Sequence, residues 1–217
     1  MSEDKSGSPP CGIYLRIDDF SNMLDLIGYV RQMAFAINRS SGYEKNMAVV
    51  EVVADAPEEA HNERVFDLIP IIKDQGLVAL ISGLPEGAED LHGADGVIVD
   101  IDADIAAVRT IHGDDAIIGV TTASKQEALQ ALSMPVDCII MQAAPGLLAE
   151  LSMKAEGMVI ARGKGITNKN CGALAQAGAN LIDVSDYLLG HKKGVMQATV
   201  NILHELDTAM NLPDTVN

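Results

Sequence analysis

The chain has 217 residues and a formal net charge of −16, and 48% of its residues are hydrophobic. This excess of negative charge disfavours binding to nucleic acid or to an anionic membrane. Aromatic residues make up 3% of the chain and Trp is absent, so few side chains could stack on bases. The hydrophobic content excludes a disordered polymer, and its aliphatic character favours an α/β protein with buried strands.

The cysteines and the first residues bear on the cellular compartment. Cys11, Cys138 and Cys171 are odd in number and widely spaced, without the spacing of a disulfide framework or a zinc site. The first ten residues are polar and contain Ser, Gly and Pro, which is typical of a disordered leader and not of a signal peptide. We therefore expect a cytoplasmic protein whose residues 11–217 form one domain.

Short β-like runs then alternate with helical runs, and no linker interrupts the alternation. In chain order the pattern predicts strand 12–17, helix 22–37, strand 47–53, helix 59–75, strand 77–82, a small helix within 85–93, strand 96–99, helix 105–111, strand 116–120, helix 125–132, strand 136–141, helix 147–153, strand 158–161, helix 169–177, strand 180–184 and helix 195–210. Ser21 is expected to cap the first helix. Eight strand and helix pairs with apolar strands predict a single-domain (β/α)8 TIM barrel, an open doubly wound sheet being the alternative.

A basic glycine loop follows the seventh predicted strand, where the stretch 161–166, Ala-Arg-Gly-Lys-Gly-Ile, brings Arg162 and Lys164 together with two glycines. Gly163 and Gly165 would let the backbone approach an anion, and Lys164 supplies a cation between them. Phosphate sites of barrels recur after strands seven and eight, so Ser185 is expected to contribute a second contact. The alternative is a simple turn between strand and helix, with a solvated lysine.

Acidic residues alternate after the fourth predicted strand, at Asp100, Asp102 and Asp104. Oxygen clusters of this kind suit Mg2+ with a bound diphosphate, which makes Asp102 and Asp104 candidate metal ligands. Either residue could instead cap the following helix, because acids are favoured at helix N-termini.

The order of these loops resembles the thiamine phosphate synthase family, including its thiazole tautomerase-like relatives. The matching segments are Gly-Ala-Asp-Gly-Val at 93–97, Ile-Gly-Val-Thr-Thr-Ala-Ser at 118–124, the glycine loop up to Ile166, and Ala-Gly-Ala-Asn…Val-Ser at 177–185. The resemblance implies a (β/α)8 barrel that uses Mg2+ to join a pyrimidine diphosphate to a thiazole phosphate. It also implies a diphosphate contact at Thr121, a phosphate site at the glycine loop and Ser185, and a metal acid at Asp102 or Asp104.

The chain departs from the family pattern after three strands. Val-Glu-Val-Val-Ala-Asp at 50–55 replaces a Gln-x-Arg-x-Lys pattern, Ile-Ser-Gly-Leu at 81–84 replaces an Asn-Asp pair, and Gln-Ala-Ala-Pro-Gly at 142–146 replaces a Phe-Pro-Thr segment with a Lys. A diphosphate loses about 1.5 to 3 kcal/mol with each charged hydrogen bond removed. The interpretation is a synthase-like barrel that binds a phosphorylated small molecule with reduced diphosphate and metal machinery.

The alternative from another class is a non-catalytic barrel that holds a phosphorylated ligand or serves regulation. No organic cofactor is implied by either interpretation, and Mg2+ is expected only with the catalytic one. A homo-oligomer is compatible with both.

Overall fold

Parallel strands close into a barrel in the computed structural model, which describes residues 11–40, 48–54, 59–85 and 87–211. Within these ranges the eight strands are β1 Gly12–Ile17, β2 Ala48–Val53, β3 Val78–Ser82, β4 Gly96–Asp100, β5 Ile117–Thr121, β6 Cys138–Gln142, β7 Met158–Arg162 and β8 Leu181–Asp183. Each strand pairs with the next in parallel, and β8 pairs with β1 through Leu181 opposite Gly12, which closes the sheet. The prediction of a single-domain (β/α)8 TIM barrel is confirmed.

Helices surround the barrel. Among the described residues they are α1 Met23–Arg39, α2 Glu59–Asp74, α3 Ile105–His112, α4 Lys125–Ala131, α5 Pro145–Ser152, α6 Cys171–Gln176, α7 Ser185–Leu189 and α8 Val195–Met210. None of these helices is long and apolar enough to cross a membrane in the part of the chain that the structure describes.

Three local predictions differ from the structure. The small helix expected within 85–93 is wrong, because the described residues of that segment form turns and irregular backbone. The short helix α7, directly after β8, was not expected from the sequence. The cap of α1 is Asn22 and not Ser21, since the Asn22 side chain accepts a hydrogen bond from the backbone N–H of Asp25. The predicted leader, residues 1–10, lies outside the described residues.

The hydrophobic core has two parts, because alternate side chains of a strand point to opposite faces of the sheet. The larger part lies between the strands and the helices. The smaller part fills the barrel and consists of Tyr14, Val49, Leu80, Ile98, Cys138, Ile140, Ile160 and Leu181. Packing inside is close: a Cβ added at Gly119 would lie 2.5 Å from the Sγ of Cys138. The lower barrel is therefore a filled core, and space for a ligand opens only above it.

Candidate functional site

The inward-facing residues become polar at the carboxyl ends of the strands. A cavity of about 660 Å³ opens there, which we call the mouth. Its lining includes Arg16 from β1, Glu51 from β2, Asp100 from β4, Thr121 from β5 and Arg162 from β7. Since barrel enzymes place their active sites at this end of the strands, the mouth is the candidate functional site.

Glu51 is the central side chain of the mouth, and only 2% of it is exposed. Its Oε1 accepts a hydrogen bond from the Ser82 hydroxyl at 2.6 Å. Its Oε2 accepts one from the Tyr14 hydroxyl at 2.8 Å and one from the Arg162 guanidinium. The Nε of Arg16 lies 3.7 Å from Oε1. A buried carboxylate is tolerated when it is paired and hydrogen-bonded, and these four partners meet that condition.

Arg162 bridges two buried carboxylates. Its Nε donates to Oδ2 of Asp183 at 2.8 Å, and its Nη2 donates to Glu51. Burial by itself would lower the pKa of Arg162, but the charge of Glu51, with those of Tyr14 and Asp183, outweighs burial and holds that pKa above its ordinary value. No acceptor among the described residues lies within hydrogen-bond distance of Nη1. We call Tyr14, Arg16, Glu51, Arg162 and Asp183 the arginine cluster.

Two members of the arginine cluster differ in exposure. Tyr14 is fully buried, and burial together with the charge of Glu51 raises the pKa of its phenol well above the ordinary value, against the opposing charge of Arg162. Arg16 is one-third exposed and its Nη1 donates to the exposed carboxylate of Asp18. Tyr14 therefore acts as a fixed donor beneath the mouth, whereas Arg16 can contact a ligand.

The acidic residues at the end of β4 and directly after it lie across the mouth from the arginine cluster. Asp100, Asp102 and Asp104 all line the mouth, as does Thr121, which is opposite Asp100 in the pairing of β4 with β5. Asp104 caps α3, because its Oδ1 accepts from the backbone N–H of Ala107 at 3.1 Å. We call Asp100, Asp102 and Asp104 the acidic loop.

The described residues contain no preformed cluster of metal ligands that would support the predicted Mg2+ site. Within the described ranges, no group of three or more His, Cys, Asp or Glu side chains is arranged to hold a metal ion. Asp104 has the capping role that the sequence left as an alternative, while Asp102 is exposed. The assignment of Asp102 and Asp104 to Mg2+ stays a prediction.

The basic glycine loop lies between β7 and α6. Gly165 has a φ of +75°, which favours glycine, and Lys164 is exposed. The loop satisfies part of its own backbone: the Asn170 side chain accepts from the N–H of Thr167 at 2.7 Å and donates to the carbonyl of Gly165 at 3.0 Å. These bonds fix the turn that leads into α6.

Ser185 begins α7, and its donors are already engaged. Both its backbone N–H and its hydroxyl donate to Oδ1 of Asp183, and its Oγ accepts from the N–H of Arg16 at 2.7 Å. The predicted phosphate residues are therefore distributed over separate surroundings. Thr121 lines the mouth, Gly165 lines a second cavity beside α7 and α8, and Ser185 belongs to the network around Asp183. Phosphate binding by these residues stays a prediction.

Sequence reasoning included Arg162 in the basic stretch 161–166 but missed its pairing with the other members of the arginine cluster. Glu51 stands in the middle of β2, whose other five residues are Ala or Val, and Arg16 and Arg162 interrupt or end apolar strands in the same way. A charged residue within a buried strand needs a partner of opposite charge on another strand. This pattern was the available signal, and a barrel brings such residues together above its core.

The described fold is similar to that of several solved barrels at low sequence identity. A thiamine phosphate pyrophosphorylase from Pyrococcus furiosus aligns with a TM-score of 0.69 and 19% identity, covering 92% of this chain and 97% of that one. Orotidine 5'-phosphate decarboxylase from Pyrococcus horikoshii gives 0.67 and 15%, covering 90% and 99%.

A third structure is (S)-3-O-geranylgeranylglyceryl phosphate synthase from Thermoplasma acidophilum in complex with sn-glycerol-1-phosphate. It gives a TM-score of 0.62 and 13% identity, covering 91% of this chain and 94% of that one. No family model and no curated protein matches the sequence. At these identities the similarity concerns the barrel fold.

Proposed function

We propose that the protein binds a small phosphorylated molecule in the mouth and that Arg162, with Arg16, holds an anionic group of it. The observation that carries the proposal is how the nitrogens of the Arg162 guanidinium are paired. Two carboxylates fix it, and its Nη1 has no acceptor among the described residues. A guanidinium fixed in this way is preorganised for a carboxylate or phosphate oxygen, because little side-chain entropy is lost on binding.

Arg16 adds a second cation on the same side of the mouth. Its Nη1 is taken by Asp18, and its Nη2 has no described acceptor. Both arginines line the mouth, so one anionic group could receive hydrogen bonds from both. The cluster as a whole is close to neutral, because Glu51 and Asp183 offset the two cations. It therefore suits a single phosphate or carboxylate better than a diphosphate.

The acidic loop supplies carboxylates, whose charge is opposite to that of the two arginines. Asp100 ends β4 with its side chain exposed, and among the described residues its carboxylate has no hydrogen-bond or ion-pair partner. The Thr121 hydroxyl is likewise unengaged on the neighbouring strand. A ligand with its anionic end at the arginines would present its other end to a carboxylate able to accept a proton or stabilise a developing positive charge.

The wider support comes from the fold. Solved structures of similar fold include proteins whose names refer to orotidine 5'-phosphate, to sn-glycerol-1-phosphate and to thiamine phosphate. The thiamine phosphate synthase reaction is the specific form of the proposal that the sequence motifs suggest. A diphosphate in the mouth would meet the acidic loop, so this reaction requires Mg2+ to screen the repulsion.

A non-catalytic binding protein is the second candidate. It is favoured by the self-satisfied network at the mouth, in which the Ser185 hydroxyl and both arginines are already paired. Such a network positions a ligand without offering a nucleophile, and the barrel would then hold its ligand for regulation.

A binding titration followed by an assay tests both candidates. Calorimetry with a panel of phosphomonoesters, including thiazole phosphate and glycerol phosphate, is expected to show binding at the mouth that weakens about tenfold or more in Arg162→Lys. Lys154→Ala is the control, since Lys154 pairs with Glu150 and neither residue lines the mouth. Circular dichroism checks that Arg162→Lys is folded.

The assay combines the pyrimidine diphosphate, thiazole phosphate and Mg2+. Thiamine phosphate formation that Arg162→Lys lowers supports the synthase reaction, whereas binding without turnover supports the binding protein. Absence of binding by every phosphomonoester, or binding that Arg162→Lys leaves unchanged, contradicts the proposal.

A further inference from the structure

A second cavity lies beside the barrel, next to the segment that joins α7 to α8. Its volume is about 580 Å³, and its lining shares no residue with that of the mouth. One wall is the glycine loop at Gly165, Ile166 and Thr167. The other walls come from α7, the connection to α8 and the first turns of α8. We call it the basic cavity, for the charges described next.

The connection from α7 to α8 brings His191, Lys192 and Lys193 to the basic cavity. Neither lysine has a carboxylate within salt-bridge distance among the described residues. Asp186 is the one acidic residue in the lining, so the two lysines leave the cavity positive. In a chain of net charge −16, this local excess of cations is unusual.

The lysines elsewhere on the described surface behave differently. Lys73 pairs with Asp95 at 2.6 Å, and Lys125 and Lys154 both pair with Glu150. Those lysines are neutralised by the acidic surface around them. Among the described residues, the lysines without a salt bridge are Lys164 in the glycine loop, Lys169 at its end, and Lys192 and Lys193 in the α7 to α8 connection, and the last two line the basic cavity. The contrast shows where an external anion would find uncompensated positive charge.

Neutral donors converge on the same space. The Gln197 amide donates to Oδ1 of Asn201, and the Asn201 amide donates to the Tyr187 hydroxyl oxygen at 3.2 Å. Because the hydroxyl oxygen accepts in this relay, its own proton remains available to a ligand. His191 accepts from the N–H of Lys193 through Nδ1, which leaves Nε2 as its remaining ring nitrogen. The positive charge and the hydrogen-bond donors therefore both favour binding of an oxyanion in the basic cavity.

We propose that the basic cavity is a second anion site, which binds the phosphate group of a small molecule through Lys192, Lys193 and the Tyr187 hydroxyl. Ile166 and the ring of Tyr187 provide apolar surface for the organic part of the ligand. This site does not depend on the arginine cluster, so the protein holds two separate positions for anionic groups. The proposal goes beyond the function assigned to the mouth and stands independently of it.

Titration with inorganic phosphate tests this site, because that probe is the anionic group alone and variants of the two cavities separate the two positions it could occupy. Calorimetry on the full chain is expected to show binding that weakens by about tenfold or more in the double variant Lys192→Ala/Lys193→Ala. Tyr187→Phe, which removes only the hydroxyl, should weaken binding less. The control Lys125→Ala/Lys154→Ala removes the same charge from a paired surface position and should leave the affinity unchanged.

Variants of the mouth separate the two proposals. Arg16→Gln should weaken the binding of phosphate and of phosphomonoesters at the mouth only, and the phosphate binding that Lys192→Ala/Lys193→Ala weakens should persist in it. Unchanged phosphate binding in Lys192→Ala/Lys193→Ala, or an equal loss in the control pair, overturns the basic cavity as a site. Loss in Arg16→Gln alone overturns it as well, while leaving the function of the mouth supported.

Discussion

The two sides of the mouth contrast in burial and in pairing. On the arginine side, Glu51 is 2% exposed and its carboxylate has four partners. On the acidic side, Asp100 and Asp102 are exposed and neither carboxylate is paired within the described residues. Burial requires pairing, since an unpaired charge away from water costs several kcal/mol, whereas exposed carboxylates are stable in contact with water.

This difference separates two kinds of functional residue. The arginine cluster is fixed by its own hydrogen bonds, so it can position a ligand. Asp100 and Asp102 of the acidic loop are exposed and have no partner among the described residues, so they can accept a proton or a cation but contribute little to the fold, whereas Asp104 caps α3. Variants of the arginine cluster should therefore lower the free energy of unfolding strongly. Variants at Asp100 and Asp102 should instead leave stability nearly unchanged and affect only function.

Arg162→Met should have the largest effect on stability. It leaves Glu51 and Asp183 buried without their shared cation, which typically costs about 3 to 5 kcal/mol. Urea unfolding followed by circular dichroism measures the loss. Lys154→Met is the control, because its exposed pair with Glu150 contributes only about 0 to 1 kcal/mol. A loss in Arg162→Met no larger than that of the control would show that the cluster does not constrain the fold.

Tyr14→Phe should have the next largest effect, because it removes one donor from a charged and buried acceptor. The expected loss is about 1.5 to 3 kcal/mol in the free energy of unfolding at neutral pH. Since the ring stays, a loss of this size would come from the hydroxyl and not from a cavity. A loss below about 0.5 kcal/mol would contradict the bond to Glu51 as a stabilising contact.

The same variant should change the response to alkaline pH. The raised pKa of Tyr14 means that the folded protein keeps a proton that the unfolded chain releases above about pH 10. The contribution of Tyr14 to stability is complete below that pH and falls as the pH rises further. The wild type should therefore lose more stability than Tyr14→Phe between about pH 9 and 11. Parallel losses in the two proteins would show that Tyr14 ionises normally.

Asp104→Ala should have an intermediate effect and Asp102→Ala almost none. Asp104 caps α3, and loss of a cap costs about 1 kcal/mol, whereas Asp102 is exposed and should stay within about 0.5 kcal/mol of the wild type. Thermal unfolding with and without Mg2+ distinguishes a capping role of the acidic loop from a metal-binding role. A rise in midpoint with Mg2+ that Asp102→Ala abolishes would favour a metal site there.

Asp100→Asn should have the smallest effect on stability, within about 0.5 kcal/mol of the wild type, because the carboxylate is exposed and unpaired. Its effect should appear only in turnover or in the affinity for a ligand. Thr121→Val, at a half-buried residue of the neighbouring strand, offers a second variant on the acidic side with nearly the same volume. If either variant lost stability without losing function, the result would contradict the assignment of the acidic side to function.

Much of the fold follows from local sequence. Apolar runs such as Val97 to Val99 alternate with helical runs, and a closed parallel sheet satisfies eight such units. The errors arose where short segments carry weak periodicity. The segment 85–93 contains two glycines with positive φ, Gly87 and Gly93, which favour turns over a helix. The short helix α7 has only five residues, too few for a periodic signal.

The candidate site was less accessible to sequence reasoning. Loop motifs directed attention to Lys164 and Ser185, which carry recognisable spacing, while Glu51 and Arg162 are 111 positions apart in the chain. Their pairing depends on the closure of the barrel, which no local pattern specifies. Whether Ser185 is free or engaged depends in the same way on Asp183 and on the backbone of Arg16.

The most direct test of the central claim is nuclear magnetic resonance of the arginine side chains during a titration with thiazole phosphate. Arginine labelled with nitrogen-15 reports each guanidinium, and Arg162→Lys assigns the signal of Arg162. We expect the Nη signals of Arg162 and Arg16 to shift on binding, while those of Arg109, which is paired outside the mouth, stay in place. Saturating ligand that leaves the Arg162 signals unchanged would contradict the assignment of the mouth as the site of the anionic group.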